Sequence, residues 1–418
     1  MICPEPGPTM ATHKIPAAKL EIGMYVSRLD RPWRETPFLF QGFYVQDQEE
    51  LDTLNKLCKD VFILTGEDIP GEVQEPVGDR AAADTSELKE ILGQQPTHTG
   101  EHEKPFVEEL SSAKKHHEDV SRLAHEAWES LQKGEAVNLE IMQESISVMT
   151  ESVLRNPDAF VWLSKVKKYD SYTYAHAVNV SVWATVLGKR LLLPQEKLEA
   201  LALGGLLLDV GNIRLPKKLL EKRERLSNDE WDTIKTHVIH SIALIQRSKE
   251  VSQHVIDMVA SHHERYDGSG YPKGLEGDEI PLLGQIAGIV DAYVSVTFPR
   301  AGLNAVPSDF ATNVLFKQRN KYFKADLVDE LIGCVGLYPP GSLIELNTGQ
   351  VAIVVTQNSQ WRLRPRIMLI LDKNKKPFAT YPIIDLMKET EDEDGNHLSI
   401  KTGIRDGAYA IDLSKLPF

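Results

Sequence analysis

The spacing of apolar residues divides the chain into a long helical middle and two ends with strand patterns. For about two hundred residues from residue 106, apolar positions recur at helical spacing, and strand alternation is missing. We predict helices over 106–133, 137–154, 158–167, 172–191, 195–208, 227–247 and 250–264, followed by 308–317 and 324–335. The pattern therefore indicates an all-α domain over 106–337.

The N-terminal end has the pattern of a small α+β module over 14–66. Three short runs rich in apolar residues predict strands. One run with helical spacing and acidic residues in its first turn predicts a helix. The strands are expected at 20–26, 38–45 and 60–64, and the helix at 47–58. The proline-rich start over 1–13 and the polar segment over 67–105 lack apolar periodicity, so we expect the first to be disordered and the second to be a linker.

The C-terminal end changes character again after residue 337. Leu343–Val355 has a strand–turn–strand pattern with Asn347–Gly349 as its turn, and Arg366–Asp372 predicts a further strand. We therefore expect a small β-rich appendage over 338–418. The fold class predicted for the whole chain is mainly α, with an α+β module before the helical domain and a β-rich appendage after it.

Composition limits the classes of partner. The 418 residues carry a formal charge of -14, which weighs against coating nucleic acid or anionic membrane. The three cysteines form no CxxC pair, so a disulfide framework or a cysteine zinc site is not expected. We see neither a membrane-spanning run nor a signal peptide. These features predict a cytoplasmic protein without nucleic-acid or membrane partners.

Ser261–Pro272 is the stretch richest in candidate chemistry. His262 and His263 end an apolar helical run, and Glu264 and Asp267 follow within a turn. Imidazoles and carboxylates are ligands that transition metals accept, and adjacent histidines on a helix point about 100° apart. The Gly-Ser-Gly-Tyr-Pro segment that follows breaks the helix. This stretch therefore predicts part of a metal site.

Further metal-type side chains lie on separate helical segments: His176, Asp209, His237 and Asp291. A lone histidine on a helix is more often structural than a ligand. Asp209 and Asp291, however, interrupt or end apolar runs, where a carboxylate is costly unless it is paired or metal-bound. These two aspartates are therefore the stronger candidates for a site inside the helical domain.

Residues 170–300 resemble the HD-GYP family, bacterial metal-dependent phosphodiesterases of the HD superfamily that hydrolyse cyclic di-GMP. His262–Pro272 reproduces the family motif HHExxDGxGYP in full. Residues 14–64 also resemble the small N-terminal domain often found ahead of HD-GYP domains, most clearly at Leu20–Val26. The resemblance implies a helical HD-type domain and a part in cyclic di-GMP signalling.

The resemblance also implies a set of site residues. One divalent ion, iron or manganese, would use Asp209, His237, His262 and His263, and a second would use His176, Asp209 and Asp291. Asp209, His262 and His263 would be catalytic by position in the motifs. Arg300 matches an arginine that could contact a phosphate, and Tyr271 of the Gly-Tyr-Pro loop could contact the substrate or lock the loop.

Several positions depart from the family pattern. Leu208 stands where the family has a metal-ligating histidine, and Asn212 stands where it has a lysine. Tyr172 occupies the position of a glutamate in three-metal members, and Val294–Pro299 lacks the usual acidic residues. Leucine supplies no donor atom, so we expect one ion to bind firmly and the second weakly. Hydrolysis should then be strongly impaired.

Three functions remain compatible with these residues. The first is a metal-dependent cyclic di-GMP phosphodiesterase with a modified site. The second is a catalytically inactive receptor for cyclic di-GMP. The third is an interaction module that docks partners, such as diguanylate cyclase domains, through its Gly-Tyr-Pro loop.

Overall fold

The computed structural model describes most of the helical and C-terminal regions and part of the N-terminal module. The described residues are 12–21, 24–30, 43–45, 48–64, 104–135, 139–167, 172–220, 222, 226–248, 251–298, 306–358, 363–389, 391, 395, 398–405 and 408–413. Almost all of the expected disordered start and linker lies outside them, as does Arg300. Residues 1–81 and 82–418 form two separate compact units.

The N-terminal unit contains a four-stranded antiparallel sheet and one helix. Its strands follow the order β1-β4-β2-β3, and Val26, Leu54 and Val61 are fully buried in its core. The elements are β1 (Thr12–Pro16), β2 (Tyr25–Leu29), β3 (Phe43–Tyr44), α1 (Gln48–Leu57) and β4 (Asp60–Leu64).

Two predictions for this unit were wrong in their boundaries. β1 begins at Thr12, inside the start that was expected to be disordered, because it pairs with β4 along its whole length. The strand expected at 20–26 runs instead over Tyr25–Leu29, since a 3₁₀ turn at Ala17–Lys19 precedes it. Pairing between distant segments is not visible in local spacing, which explains both errors.

The helical region confirms the mainly α prediction. Its helices are α2 (Phe106–Lys133), α3 (Leu139–Arg155), α4 (Pro157–Val166), α5 (Tyr172–Arg190), α6 (Gln195–Leu207), α7 (Lys217–Leu220), α8 (Asn228–Lys235), α9 (His237–Ile245), α10 (Gln253–Ser261), α11 (Leu282–Thr297), α12 (Ser308–Phe316) and α13 (Ala325–Val335). None of the helices in the described part of the chain combines the length and apolar character needed to cross a bilayer.

The helix predicted over 227–247 is wrong, because the structure divides it at Thr236. Ser227 starts α8 with a reciprocal capping box to Glu230, as its sequence pattern indicates. A single turn residue, Thr236, follows, and α9 begins at His237. The side chain of His237 bonds the carbonyl of Ile234 at 2.7 Å, so an acceptor at the end of α8 is satisfied locally.

The helices that hold the candidate ligands pack closely around one point. α5 packs on α6 and α11, and α10 packs on α6, α9 and α11. Gly288 allows α11 to approach the end of α10, because a Cβ there would lie 2.5 Å from the carbonyl oxygen of His262. This packing brings residues that are more than a hundred positions apart into one site.

The C-terminal region is a five-stranded antiparallel sheet in the order β8-β7-β6-β5-β9. Its strands are β5 (Leu343–Leu346), β6 (Val351–Thr356), β7 (Arg366–Leu371), β8 (Ile383–Asp385) and β9 (Ile400–Ile404). The amide of Gln357 donates to Asp158 of α4 at 2.9 Å, which ties this sheet to the helical region. The β-rich expectation is confirmed, although β8 and β9 were not predicted.

Candidate metal centre

Asp209 lies where α6 ends and the backbone enters a 3₁₀ segment, Val210–Arg214. This segment is pressed against α9: the amide of Gly211 donates to Ser241 Oγ at 2.8 Å. A Cβ at Gly211 would lie 2.0 Å from the carbonyl oxygen of His237, so only glycine permits this approach. As a result, Asp209 Oδ1 lies 3.2 Å from His237 Nε2.

His237 and His262 present their Nε2 atoms to Asp209. Nδ1 of each ring lies 2.7 Å from a backbone carbonyl, that of Ile234 or that of Val259. A carbonyl only accepts, so Nδ1 carries the proton and Nε2 has a free lone pair. Both Nε2 atoms are buried without a hydrogen-bond partner among the described residues. Such orphaned lone pairs beside a carboxylate are the arrangement expected of metal ligands.

His263 completes this donor set. One donor atom from each of Asp209, His237, His262 and His263 lies within 4.8 Å of the others. Burial lowers the pKa of His262 to about 4 and that of His263 well below its ordinary value. Both rings are therefore neutral at pH 7, the form that binds metal. Three imidazoles and one carboxylate fit a divalent first-row transition ion.

The second group, His176, Asp209 and Asp291, is less complete. Its donor atoms also lie within 4.8 Å of one another, but two of them already bond each other. His176 Nε2 lies 2.8 Å from Asp291 Oδ1 and 4.0 Å from Asp209 Oδ2. Leu208, next to Asp209, is almost fully buried and offers no donor atom. The residues at this position supply at most three ligands.

The two aspartates are strongly stabilised as carboxylates. Burial raises the pKa of Asp209, but the adjacent imidazoles, that of His237 first, outweigh burial and hold that pKa far below its usual range. His176 has the same effect on the pKa of Asp291. Burial lowers the pKa of His237, whereas Asp209 raises it to a net value above the ordinary one. Both aspartates therefore remain ionised carboxylates, which can bind a cation.

The Gly-Tyr-Pro loop is fastened to the two histidines. The carboxylate of Glu264 accepts the amides of Lys273 and Leu275 at 2.7 and 3.1 Å. The ring of Tyr271 stacks on that of His263, with 4.7 Å between centroids and 26° between planes. Glu264 thus holds the loop rather than facing the ligand cluster, and Tyr271 packs against a ligand histidine.

Two residues near this loop were missed by sequence reasoning. Trp231 and Lys235 lie on α8, and both face Tyr271: the Trp231 ring centroid is 6.3 Å from that of Tyr271, and Lys235 Nζ is 5.9 Å from it. Their i,i+4 spacing directly before His237 is the signal that could have found them.

Comparison with known families agrees with this architecture. Residues 161–327 match the model of the HD domain. This part of the chain is similar to the HD domain. Residues 12–141 match a domain of unknown function, DUF3391, and residues 343–391 match a KOW domain associated with the HD domain. Both ligand groups therefore fall within the HD domain.

Relatives of the HD domain include several cyclic dinucleotide phosphodiesterases. The cyclic di-GMP phosphodiesterase PA4108 of Pseudomonas aeruginosa is 28% identical over 380 residues, 89% of this chain and 88% of the relative. The response regulator RpfG of Xanthomonas campestris, a cyclic di-GMP phosphodiesterase, is 32% identical over 48% of this chain and 53% of its own length.

A further phosphodiesterase and one solved structure are also similar to this chain. The 3'3'-cGAMP-specific phosphodiesterase 2 of Vibrio cholerae is 30% identical over 38% of this chain and 31% of its own length. This chain thus spans about half or less of two of these three relatives. Among solved structures, Bd1817, an HDG"Y"P protein from Bdellovibrio bacteriovorus, is 20% identical over 77% of this chain and 98% of that chain, with a TM-score of 0.45.

Proposed function

We propose that this protein binds cyclic di-GMP at the metal centre of its HD domain and hydrolyses it slowly, as an HD-GYP phosphodiesterase with impaired activity. The observation that carries the proposal is the donor set around Asp209, with the buried, unpartnered Nε2 atoms of His237 and His262. The relatives support the substrate class, since PA4108 and RpfG are both cyclic di-GMP phosphodiesterases.

Each residue of the set has a defined part in this proposal. Asp209, His237, His262 and His263 would hold the ion, iron or manganese. A divalent ion held there would supply Lewis acidity toward a phosphoryl oxygen. The bonds from Nδ1 of His237 and His262 to backbone carbonyls fix both rings before the ion arrives. Arg300 would bind a phosphate bidentately.

Impaired turnover is proposed from what the second group lacks. Leu208 contributes no donor, and Asn212 contributes no positive charge where a phosphodiester would develop negative charge in its transition state. The hydrogen bond between His176 and Asp291 also occupies two of the three remaining ligands. An ion would have to displace that bond before it could bind at this position.

The test is product release by the purified protein. With manganese or iron added, we expect linear pGpG or GMP to accumulate slowly from cyclic di-GMP, and EDTA to stop it. His262→Ala should abolish the release and the tightly bound metal. His240→Ala is the matched control, because His240 lies on the same α9 as His237 but outside the donor set. Turnover no higher than that of His262→Ala would reject the enzyme proposal.

A receptor function is the second candidate. It is favoured by the direct bond between His176 and Asp291, which fills the position of a second ion without any metal. Calorimetry with cyclic di-GMP distinguishes the two: a receptor binds the dinucleotide with no product formed. A protein that shows neither binding nor turnover would favour docking through the Gly-Tyr-Pro loop, where Pro272 and Lys273 are exposed.

A further inference from the structure

The helix α8 carries an aromatic side chain that does not serve the core. No residue of α8 is buried, and Trp231 is 45% exposed. The other tryptophans that the structure describes, Trp128, Trp162 and Trp183, are at most 5% exposed. An exposed indole beside a candidate active site offers an aromatic surface on which a flat ligand group can stack.

One ring, that of Tyr271, lies between Trp231 and the metal centre. The indole of Trp231 meets the ring of Tyr271 edge-on, at 83° between planes. Tyr271 in turn stacks on His263, a member of the donor set. The ring of Tyr271 would therefore separate a flat ligand group held against Trp231 from His263.

Lys235 places a positive charge next to the ring of Tyr271. It is four residues after Trp231 on α8, and its Nζ lies over the ring of Tyr271. Its ion pair with Asp232 is a surface pair, with the aspartate side chain 69% exposed, and such pairs exchange partners at little cost. The nearby Arg265 is already engaged, because it donates to the carbonyls of His262 and Glu264.

We infer that Trp231 and Lys235 form a substrate-recognition surface. In it, the indole stacks on a guanine base of cyclic di-GMP and the ammonium group binds one of its phosphates. This inference rests on the proposed function and extends it to the recognition of base and phosphate. Lys235 lies two residues before His237, so it offers a cation near the metal centre in a chain that has Asn212 at the lysine position of the family. Tyr271 has one face covered by His263, which leaves Trp231 as the more accessible aromatic surface.

The test measures cyclic di-GMP affinity by calorimetry with manganese-loaded protein. Trp231→Ala should raise Kd about 10-fold, the ordinary effect of losing one base–aromatic stack, and Trp231→Phe should retain most of the affinity. Lys235→Ala should raise Kd by about the same factor and flatten its dependence on salt, since one ion pair with phosphate is lost. Lys235→Arg should restore both.

Matched controls come from elsewhere in the chain. Phe310→Ala removes an aromatic side chain that is 56% exposed on α12, and Lys133→Ala removes a surface lysine paired with Glu129. Both should bind cyclic di-GMP as the wild type does. Metal content should stay unchanged in all of these variants, because none removes a donor atom.

A fluorescence readout separates stacking from a structural role. Cyclic di-GMP should quench part of the tryptophan emission of the wild type, and Trp231→Phe should lose that part while still binding. If the wild type binds cyclic di-GMP but Trp231→Ala and Lys235→Ala bind it equally well, the inferred substrate-recognition surface is refuted and the proposed function stands. Absence of binding by the wild type would overturn both.

Discussion

Restoring a histidine at position 208 tests the reasoning about the incomplete half of the metal centre. Leu208 directly precedes Asp209 and is 2% exposed. Leu208→His would add a fourth ligand to His176, Asp209 and Asp291, which is the usual number for a tightly held transition ion. We expect the metal content of the dialysed protein to rise from about one ion per chain to about two.

The energetic cost can be worked out from burial. Removing the Leu208 side chain from the core forfeits about 2 kcal/mol, and burying an imidazole without a partner adds about 1 kcal/mol. Without metal, the free energy of unfolding should therefore fall by about 3 kcal/mol. Manganese at a hundredfold excess over its Kd should return about 2.7 kcal/mol of that loss. Urea unfolding with and without manganese measures both values.

Leu207→His is the matched control for this experiment. Leu207 is 1% exposed and ends α6 one residue earlier, so the substitution has the same burial cost. It adds no ligand beside Asp209, and manganese should not restore its stability. Equal metal content and equal manganese response in the two variants would refute the role assigned to position 208. Adding Asn212→Lys to Leu208→His should raise cyclic di-GMP turnover further.

Two other perturbations probe the supports of the site, and a third probes His117, a buried histidine of α2. Gly211→Ala would put a Cβ 2.0 Å from the carbonyl of His237 and push the 3₁₀ segment off α9; we expect at least about tenfold weaker metal binding, measured by metal titration. Glu264→Gln leaves one of two loop amides, such as that of Leu275, without its acceptor, so the loop should be cleaved faster in limited proteolysis; an unchanged cleavage rate would contradict its fastening role. Burial lowers the pKa of His117 from 6.5 to about 4, so protons favour the unfolded chain; the free energy of unfolding should fall by about 3 kcal/mol as the pH drops from 6.5 toward 4, and His117→Gln should lack that part of the slope.

The sequence predicted those parts of the site that are contiguous. His262, His263 and the Gly-Tyr-Pro loop lie within one short stretch, so their spacing alone indicated metal chemistry. The distance between Asp209 and His237 depends instead on how the 3₁₀ segment packs on α9. That packing is set by the absence of a side chain at Gly211, which no periodicity reveals.

The helical architecture was predictable for a similar reason. Amphipathic spacing reports which residues face a core, and it predicted most helices of the helical region to within a few residues, although it missed α7 and α11. It did not predict the break at Thr236, where neither glycine nor proline interrupts the pattern. Trp231 was missed because a tryptophan at helical spacing usually belongs to a core, whereas α8 contributes no buried residue.

The hydrogen bond between His176 and Asp291 satisfies two buried polar groups at the position of the second ion. Two polar side chains facing each other in a buried centre would be costly if an ion simply disappeared. At 2.8 Å each satisfies the other, so α5 and α11 stay joined whether or not metal is present. The buried polar groups of this half of the centre therefore need no bound ion to be satisfied.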